Sequence, residues 1–507
     1  MIIPLLKHEI LNLLKSKRIY STVIMFLLLY VSIFVVRTID YQKQLNQYID
    51  DVRLNEDGIQ SATNFSYLNP RAIQQPIIFS IFNEGHKIAR VLNIRYYEPI
   101  TTPMSLNEEE NMFFIENSQL DITFLVTFFL SLFILLISYD SINGEKRVGT
   151  LRIIMTYPLK RQYFILKKTL GVFIFVAFTF TLPYLLSLVS LMVIYANLLT
   201  VNLFLSAFFY WFLVMMFILF FSLLGIFISC CTTNPNRSLV YSLLIWIMFS
   251  IVLPISWDYI LSPKLYNDKI NQLWKIHQDK WRIYSSSMWS ENPYWSGNYF
   301  QYSGEGFYNS IVFADVETHA TRLQLQKFIY ENTYPHTSDV EQSRDDFERL
   351  RINIENTRNW IFFYNPIVLF QNLSMKITGN SRDDYIKFMH STRELRNEIV
   401  NLGITEGWLL DYRFNAIYEE EYQTIDFEDL IIEFDYDYDK LSDYIEDFTN
   451  NAKKYEIQLP VFRRYEQPVY TFGEIFNRIW VYLALFVSSI LVLWVMTWAK
   501  FMKYDVR

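Results

Sequence analysis

Six stretches of this chain contain no Asp, Glu, Lys, Arg or His and are apolar almost throughout: Ile19 to Val36, Ile122 to Tyr139, Thr169 to Tyr195, Phe204 to Ser229, Ser238 to Trp257 and Ile479 to Ala499. About 20 such residues are what an α-helix needs to cross roughly 30 Å of hydrocarbon. Only a helix or a closed barrel satisfies its own backbone in that medium. The six therefore read as membrane helices at 19–36, 122–139, 169–195, 204–229, 238–257 and 479–499, and the fold class is a mainly α, polytopic membrane protein. A composition 52% hydrophobic and 18% aromatic agrees, because water could not face that much apolar surface. Lys15, Lys17 and Arg18 precede the first stretch as they would a signal peptide, but no small-residue cleavage site ends it and Arg37 follows. It reads as a retained span.

The charges orient the helices. Placing the N-terminus in the cytoplasm puts residues 1–18, 140–168, 230–237 and 500–507 on one side. Fifteen of the 45 Lys and Arg lie there against four of the 52 Asp and Glu, so that side carries +11 and the remainder −18, which together make the net −7. A positive-inside bias this steep makes both termini cytoplasmic. Two segments, 37–121 and 258–478, then lie outside. They read as mainly helical, interrupted at Pro70, Pro76, Pro103, Pro293, Pro366, Pro460 and Pro468, and a strand over Phe427 to Phe434 would make the large domain α+β. The only cysteines, Cys230 and Cys231, fall at the inner end of the fourth span, so the exported part has no disulfide and suits a bacterial envelope, with the large domain periplasmic or extracellular. Within 1–18, Pro4 opens an amphipathic helix with Ile3, Leu6, Ile10, Leu13 and Leu14 on one face, which would lie on the inner membrane surface.

The first long inner loop, 140–168, carries the most specific pattern. It reads as a helix exposing Glu145, Lys146, Arg147 and Arg152, a turn at Pro158 and a basic helix returning to the bilayer. Short charged elements between two spans suit docking to a soluble partner, and the plain alternative is a solvated loop. The run Gly144-Glu-Lys-Arg-Val-Gly149-Thr-Leu, with Pro158 seven residues on and then Lys160, Arg161, Lys167 and Lys168 opening a span, resembles the loop after the second span of type-2 ABC transporter permeases. The resemblance implies that Glu145, Gly149, Thr150 and Leu151 form a coupling helix held in a cleft of an ATPase subunit, with Pro158, Arg161 and Lys168 shaping its exit. The interfacial helix and six spans are similar too. The segment from Tyr364-Asn-Pro366 to Gly379-Asn looks like the branch with a large extracytoplasmic insert before the last span. Where many lipid-exporting members have a short re-entrant hairpin, this chain places a whole domain.

The resemblance implies partners as well: ABC ATPase subunits that bind ATP and Mg, a second permease copy or paralogue, the lipid bilayer, and envelope proteins at the external domain. Nothing points to nucleic acid. No Gly-x-x-x-x-Gly-Lys-[Ser/Thr] loop occurs in this chain, so no cofactor is expected in it and ATP hydrolysis falls to a partner; the chain itself reads as no enzyme. An ion gradient is disfavoured, since the spans hold no ionisable side chain. The expected function is an exporter of a lipid, peptide or other envelope component, and the alternative is a membrane-anchored receptor or assembly scaffold.

Other side chains are weaker candidates. Asp435, Asp437, Asp439, Asp443 and Glu446 have the spacing of a calcium loop, but Lys440 stands where the tight turn wants Gly, and a solvated acidic face is the plainer reading. His277, His319, His336 and His390 are scattered without paired ligand spacing, so no metal site is assigned. Trp281, Trp289, Tyr294 and Trp295 form an aromatic-rich stretch that suits an external contact surface or, as readily, core or interface packing.

Overall fold

The computed structural model describes residues 9, 11, 13, 17–60, 70–85, 91–95, 97–101, 120–156, 161–196, 201–290, 327–405, 440 and 471–503. Most of the interfacial helix over 4–17, Pro158, Tyr294, Trp295, the strand expected over 427–434 and the acidic tract from Asp435 to Glu446 lie outside the described residues.

Among the described residues the chain is helical except for one small antiparallel pair, β1 (Arg71–Ile73) and β2 (Val91–Asn93), in register Ala72 opposite Leu92. Six helices are long and apolar enough to cross a membrane. The first, α1 (Lys17–Gln60), spans 44 residues, or about 66 Å, and so runs far beyond its apolar stretch. The second, α2, joins Ile122–Phe124, a π-helical Leu125–Leu130 and Ser131–Ser138. Two short helices follow, α3 (Asn143–Val148) and α4 (Thr150–Thr156), then α5 (Arg161–Ile194) and α6 (Val201–Cys231). The fifth long helix, α7, is continuous over Pro235–Ser290, 56 residues or about 84 Å. Pro254 lies within it, flanked by π-helical Met248–Val252 and Trp257–Leu261. Proline has no N–H for the carbonyl four residues back, and a local change of register is one way a helix absorbs that loss. After α8 (Tyr334–Ile361), α9 (Pro366–Thr378) and α10 (Arg382–Thr405) comes the last long helix, α11 (Phe472–Met502), opened by a capping box of Thr471 and Glu474.

The most buried of the six is α6, which packs against α2, α5, α7, α9 and α11. The aromatic-rich α6 sequence explains this place: a helix apolar all round belongs in the middle of a bundle. One large apolar cluster therefore joins Phe26 and Tyr30 of α1, Leu130 and Ile134 of α2, Phe180 and Tyr184 of α5, Phe217 and Phe221 of α6 and Phe486 of α11.

The short helix α9 corrects the expectation that a domain replaces any re-entrant element. Its Ile367, Leu369, Phe370, Leu373 and Ile377 belong to the same membrane cluster, and it lies between α6 and α11. Asn365 caps α9, accepting from Ile367 N at 3.0 Å, and donates at 2.9 Å to the carbonyl of Phe249. Phe249 is 14 residues above the start of α7, so α9 begins about 21 Å up a helix whose apolar stretch ends near Trp257. Phe362, just before, meets Trp257 edge to face at 6.1 Å. The chain thus dips into the bundle and climbs out along α9, ending on Gly379 at φ 75°.

The two segments between the spans are joined at the far end. Phe79, Ile81 and Phe82 are buried, but largely against the bundle: Phe82 packs on Phe34, Tyr184 and Tyr210. A second apolar cluster unites Ala72, Leu92, Ile94 and Ile100 with Met288, Ile329, Phe388, Met389 and Val400. Charge as well as apolar surface holds the two together. Glu341 accepts from Ile100 N at 2.8 Å and from Arg396 at 2.6 Å, while Arg393 donates to the Ile100 carbonyl at 3.1 Å and to Asp345 at 2.8 Å. Pairing the acids with arginines inside the insert leaves these groups free to grip the neutral backbone of the smaller segment, so the shared negative charge does not force the two apart.

Candidate functional site

Residues 9, 140–156, 161–168, 229–238 and 500–503 meet at one end of the bundle. α3 begins one turn after α2 ends, and its first amides have no partner of their own because its N-cap, Ile142, offers no side-chain acceptor. Ser229 of α6 supplies it: its Oγ accepts from Ile142 N at 3.1 Å and Asn143 N at 3.2 Å. In return Lys146 Nζ donates to the Cys230 carbonyl at 3.0 Å and the Thr232 carbonyl at 3.4 Å, at the end of α6 where carbonyls have lost their helical donors. The Asn143 amide is buried 2.7 Å from Thr232 Oγ1, and in the orientation that satisfies both its ends its nitrogen donates to the carbonyls of Ser229 (2.5 Å) and Thr232 (2.6 Å). Gly149 ends α3 at φ 84°, a conformation that favours glycine, and turns the chain into α4.

The residues expected to couple occupy different faces of this unit. Leu151 is buried with Ile142, Phe164, Ile165, Ile226, Cys230 and Phe501, fixing α4 to α5, α6 and α11. Arg161 donates to the Met502 carbonyl at 2.9 Å and so caps α11, and Phe164 stacks on Phe501 at 5.6 Å. Lys168, 5% exposed, binds Glu145 at 2.5 Å and Glu9 at 2.8 Å, with Lys167 3.6 Å from Glu9. A Cβ on Gly171 would stand 2.8 Å from Glu9 Cγ, so the glycine makes the room for that carboxylate. Two carboxylates and two ammoniums almost out of water make a neutral cluster, the arrangement in which buried charge is tolerated.

Of the four residues read as exposed on this helix, Arg147 is exposed, Glu145 and Lys146 turn inward, and the Arg152 side chain lies outside the described residues. The outward face is instead Arg147, Val148, Thr150 and Ile153, with Val148 70% and Ile153 62% exposed. The sequence reading missed Glu9, Asn143 and Ser229 altogether. Asn143 and Ser229 could have been found only by asking what satisfies the ends of α3 and α6. Trp281 and Trp289 are about half exposed on α7 at the far end, where Trp274, His277, Trp281 and Tyr284 form a ladder with centroids 5.6–6.3 Å apart. Burial lowers the basicity of His277, whose Nδ1 lies 2.8 Å from Ser343 Oγ. Among the described residues no group of His, Cys, Asp or Glu is placed to hold a metal.

Six membrane helices, the most buried of them at the centre, with a pair of short helices held across their ends, define a polytopic membrane protein. The sequence model of the ABC-2 family transporter proteins matches residues 3–506, and the chain belongs to that family. It is also 48% identical over 50 residues to a probable ABC transporter permease protein NosY of Pseudomonas aeruginosa, a match covering 10% of this chain and 18% of that relative.

Proposed function

We propose that the chain is the membrane-spanning permease subunit of an ATP-driven exporter of a lipid, peptide or other component of the bacterial envelope, working with a separate ABC ATPase through residues 140–168. Family membership supports the transporter class, and the observation that carries the coupling role is the outward face of α3 and α4. Val148 and Ile153 expose apolar surface on a helix pair that the bundle holds rigidly, while Leu151, Lys168 and Arg161 secure its back. Glu145 and Gly149 then shape this unit, and Arg147, Val148, Thr150 and Ile153 touch the ATPase. A second copy or a paralogue completes the transporter, and ATP and Mg reside in the partner subunits.

In this reading the loop end is cytoplasmic, which the +11 and −18 division of charge supports, and the far domain with Trp281 and Trp289 faces outward as a gate or a platform for envelope proteins. The test is Val148→Glu with Ile153→Glu in the full chain co-expressed with its ATPase. Co-purification should fall at least about tenfold, equivalent to about 1.4 kcal/mol, with the permease still monodisperse. Undiminished co-purification would remove the docking assignment. Orientation is tested separately, in a background with Cys230→Ser and Cys231→Ser. Ser290→Cys should react with an impermeant maleimide in intact cells and Thr150→Cys only after lysis, and the reverse pattern would invert the topology.

A further inference from the structure

We infer that the movement of the coupling helix is delivered to α6, the central helix, by a reciprocal cap in which Ser229 holds the start of α3 and Lys146 holds the end of α6. The inference rests on the coupling role proposed for residues 140–168 and adds the element that receives the motion and the residues that transmit it. By chain connection, α3 and α4 could act only on α2 and α5, which flank them. The polar contacts add α6 to these: Glu145 is held by Lys168 of α5, and the ends of α3 and α6 hold each other. The open amides at the start of α3 bind Ser229 Oγ at 3.1 and 3.2 Å, and the open carbonyls at the end of α6 receive Lys146 at 3.0 and 3.4 Å. Each helix completes the other's terminus, and separating them would expose both sets of groups at once. A cation at a helix C-terminus also meets the favourable end of its dipole.

The apolar contacts follow the same route. Ile226 and Cys230 of α6 are buried with Ile142 and Leu151, so α3, α4 and α6 form one body at this end. From there α6 reaches the re-entrant helix, where Phe370 of α9 lies 4.9 Å from Phe217 and 6.2 Å from Tyr210 between ring centroids. At its other end α9 is tied to the far domain: Asn83 donates to Ser374 Oγ at 2.5 Å, and Asn380 donates to the Asn83 carbonyl at 2.9 Å. A displacement of α3 carried into α6 is thus presented to a short helix that bridges the bundle and the domain. Lys146 and Ser229 act here as positioning residues, with no contact to ATPase or substrate.

The experiment uses the full chain with its co-expressed ATPase in nanodiscs, in a background carrying Cys230→Ser and Cys231→Ser. Spin labels at Gly144→Cys, where an added Cβ meets no neighbouring atom, and Arg237→Cys report the loop end, and labels at Leu186→Cys and Phe208→Cys report α6 against α5 in the far half. Distances are compared without nucleotide and with Mg-ATP and vanadate. In the parent both pairs shift. In Lys146→Met, and separately in Ser229→Ala, the loop pair should still shift and the ATPase should still co-purify, while the far pair loses its shift; Lys146→Arg should restore it. Should Lys146→Met fail to fold, Ser229→Ala carries the test alone. A far pair that shifts in both variants as in the parent overturns the linkage, as does a parent whose loop pair shifts while the far pair stays still. A parent in which neither pair responds overturns instead the coupling role on which the inference rests.

Discussion

The contact between α2 and α6 just above this cap makes Gly225→Ala a sharp test of the packing. A Cβ built on Gly225 would overlap Ser138 Oγ and stand 2.7 Å from Ser138 Cβ. The hydroxyl could rotate away, although it now donates to the Ile134 carbonyl at 2.7 Å. The Cβ cannot rotate. Carbon atoms rest at about 3.5–4.0 Å, so the two helix backbones must part by roughly 1 Å. Overpacking of that kind costs about 1–3 kcal/mol, and alanine's better helix propensity returns at most about 1 kcal/mol. A net loss of roughly 1–2 kcal/mol should lower the apparent melting temperature of the detergent-solubilised protein, followed by size-exclusion after heating. It should also loosen α3, whose first turn hangs from α2 and α6 together. Ser138→Gly in the same chain removes the opposing Cβ and should recover most of the loss, whereas Ser138→Gly alone should lower stability. A Gly225→Ala protein that melts at or above the parent, or a double variant that melts as low as the single one, would refute the close approach.

Glu341→Gln should cost about 3–5 kcal/mol, because it leaves Arg396 buried without its carboxylate, while Arg393 keeps Asp345, and proteolysis should then reach residues 97–101 sooner; an unchanged cleavage rate would dismiss the clamp. Asp121 caps α2 through Phe124 N at 2.7 Å, and burial raises its carboxyl from 3.8 to about 6, against the pull of its amide donors and Arg37. The folded state therefore holds a proton that the unfolded state has released, so stability should fall by up to about 3 kcal/mol as pH rises from about 4 to about 6 and then level off, and Asp121→Asn should flatten melting temperature against pH over that window. Gly149→Ala meets no neighbouring atom, so its cost should be only the backbone strain of about 1–2 kcal/mol, with Gly149→Asn milder in the same melting assay.

The membrane helices were legible because hydrocarbon imposes a one-letter code: no charge for about 20 residues. That code says where a helix is apolar and nothing about where it stops. Thus α1 continues to Gln60 and α7 to Ser290, well past Val36 and Trp257 where the apolar stretches end. Pro366 and Gly379 were legible as the limits of a helix, and the structure puts them at its N-terminal turn and C-cap. Its depth was not, because 13 residues are too few to register as a span, and Asn365 finds its partner on Phe249, 116 positions away. At the candidate site the sequence showed the loop and its charges. Their direction was hidden, since Glu145 and Lys146 read as exposed on any helical wheel until the termini of α5 and α6 are present to claim them.

The same geometry decides whether the far domain is a separate module. An independent module would be joined to the bundle by flexible chain, and here two of its connections, α1 and α7, are unbroken helices. A tilt of about 5° in an 84 Å helix pivoting at the loop end carries its other end about 7 Å. The Asn365 contact to Phe249 ties the re-entrant helix to that same lever partway up, and Arg478 at the start of α11 binds Asp384 of α10 at 2.7 Å. Joining the 258–478 insert with 37–121 would restore the cluster around Ala72 and Phe388, but α9 would still lack α6 and α11 against which to bury Phe370 and Leu373. The insert is therefore incomplete without the spans, to which rigid elements join it.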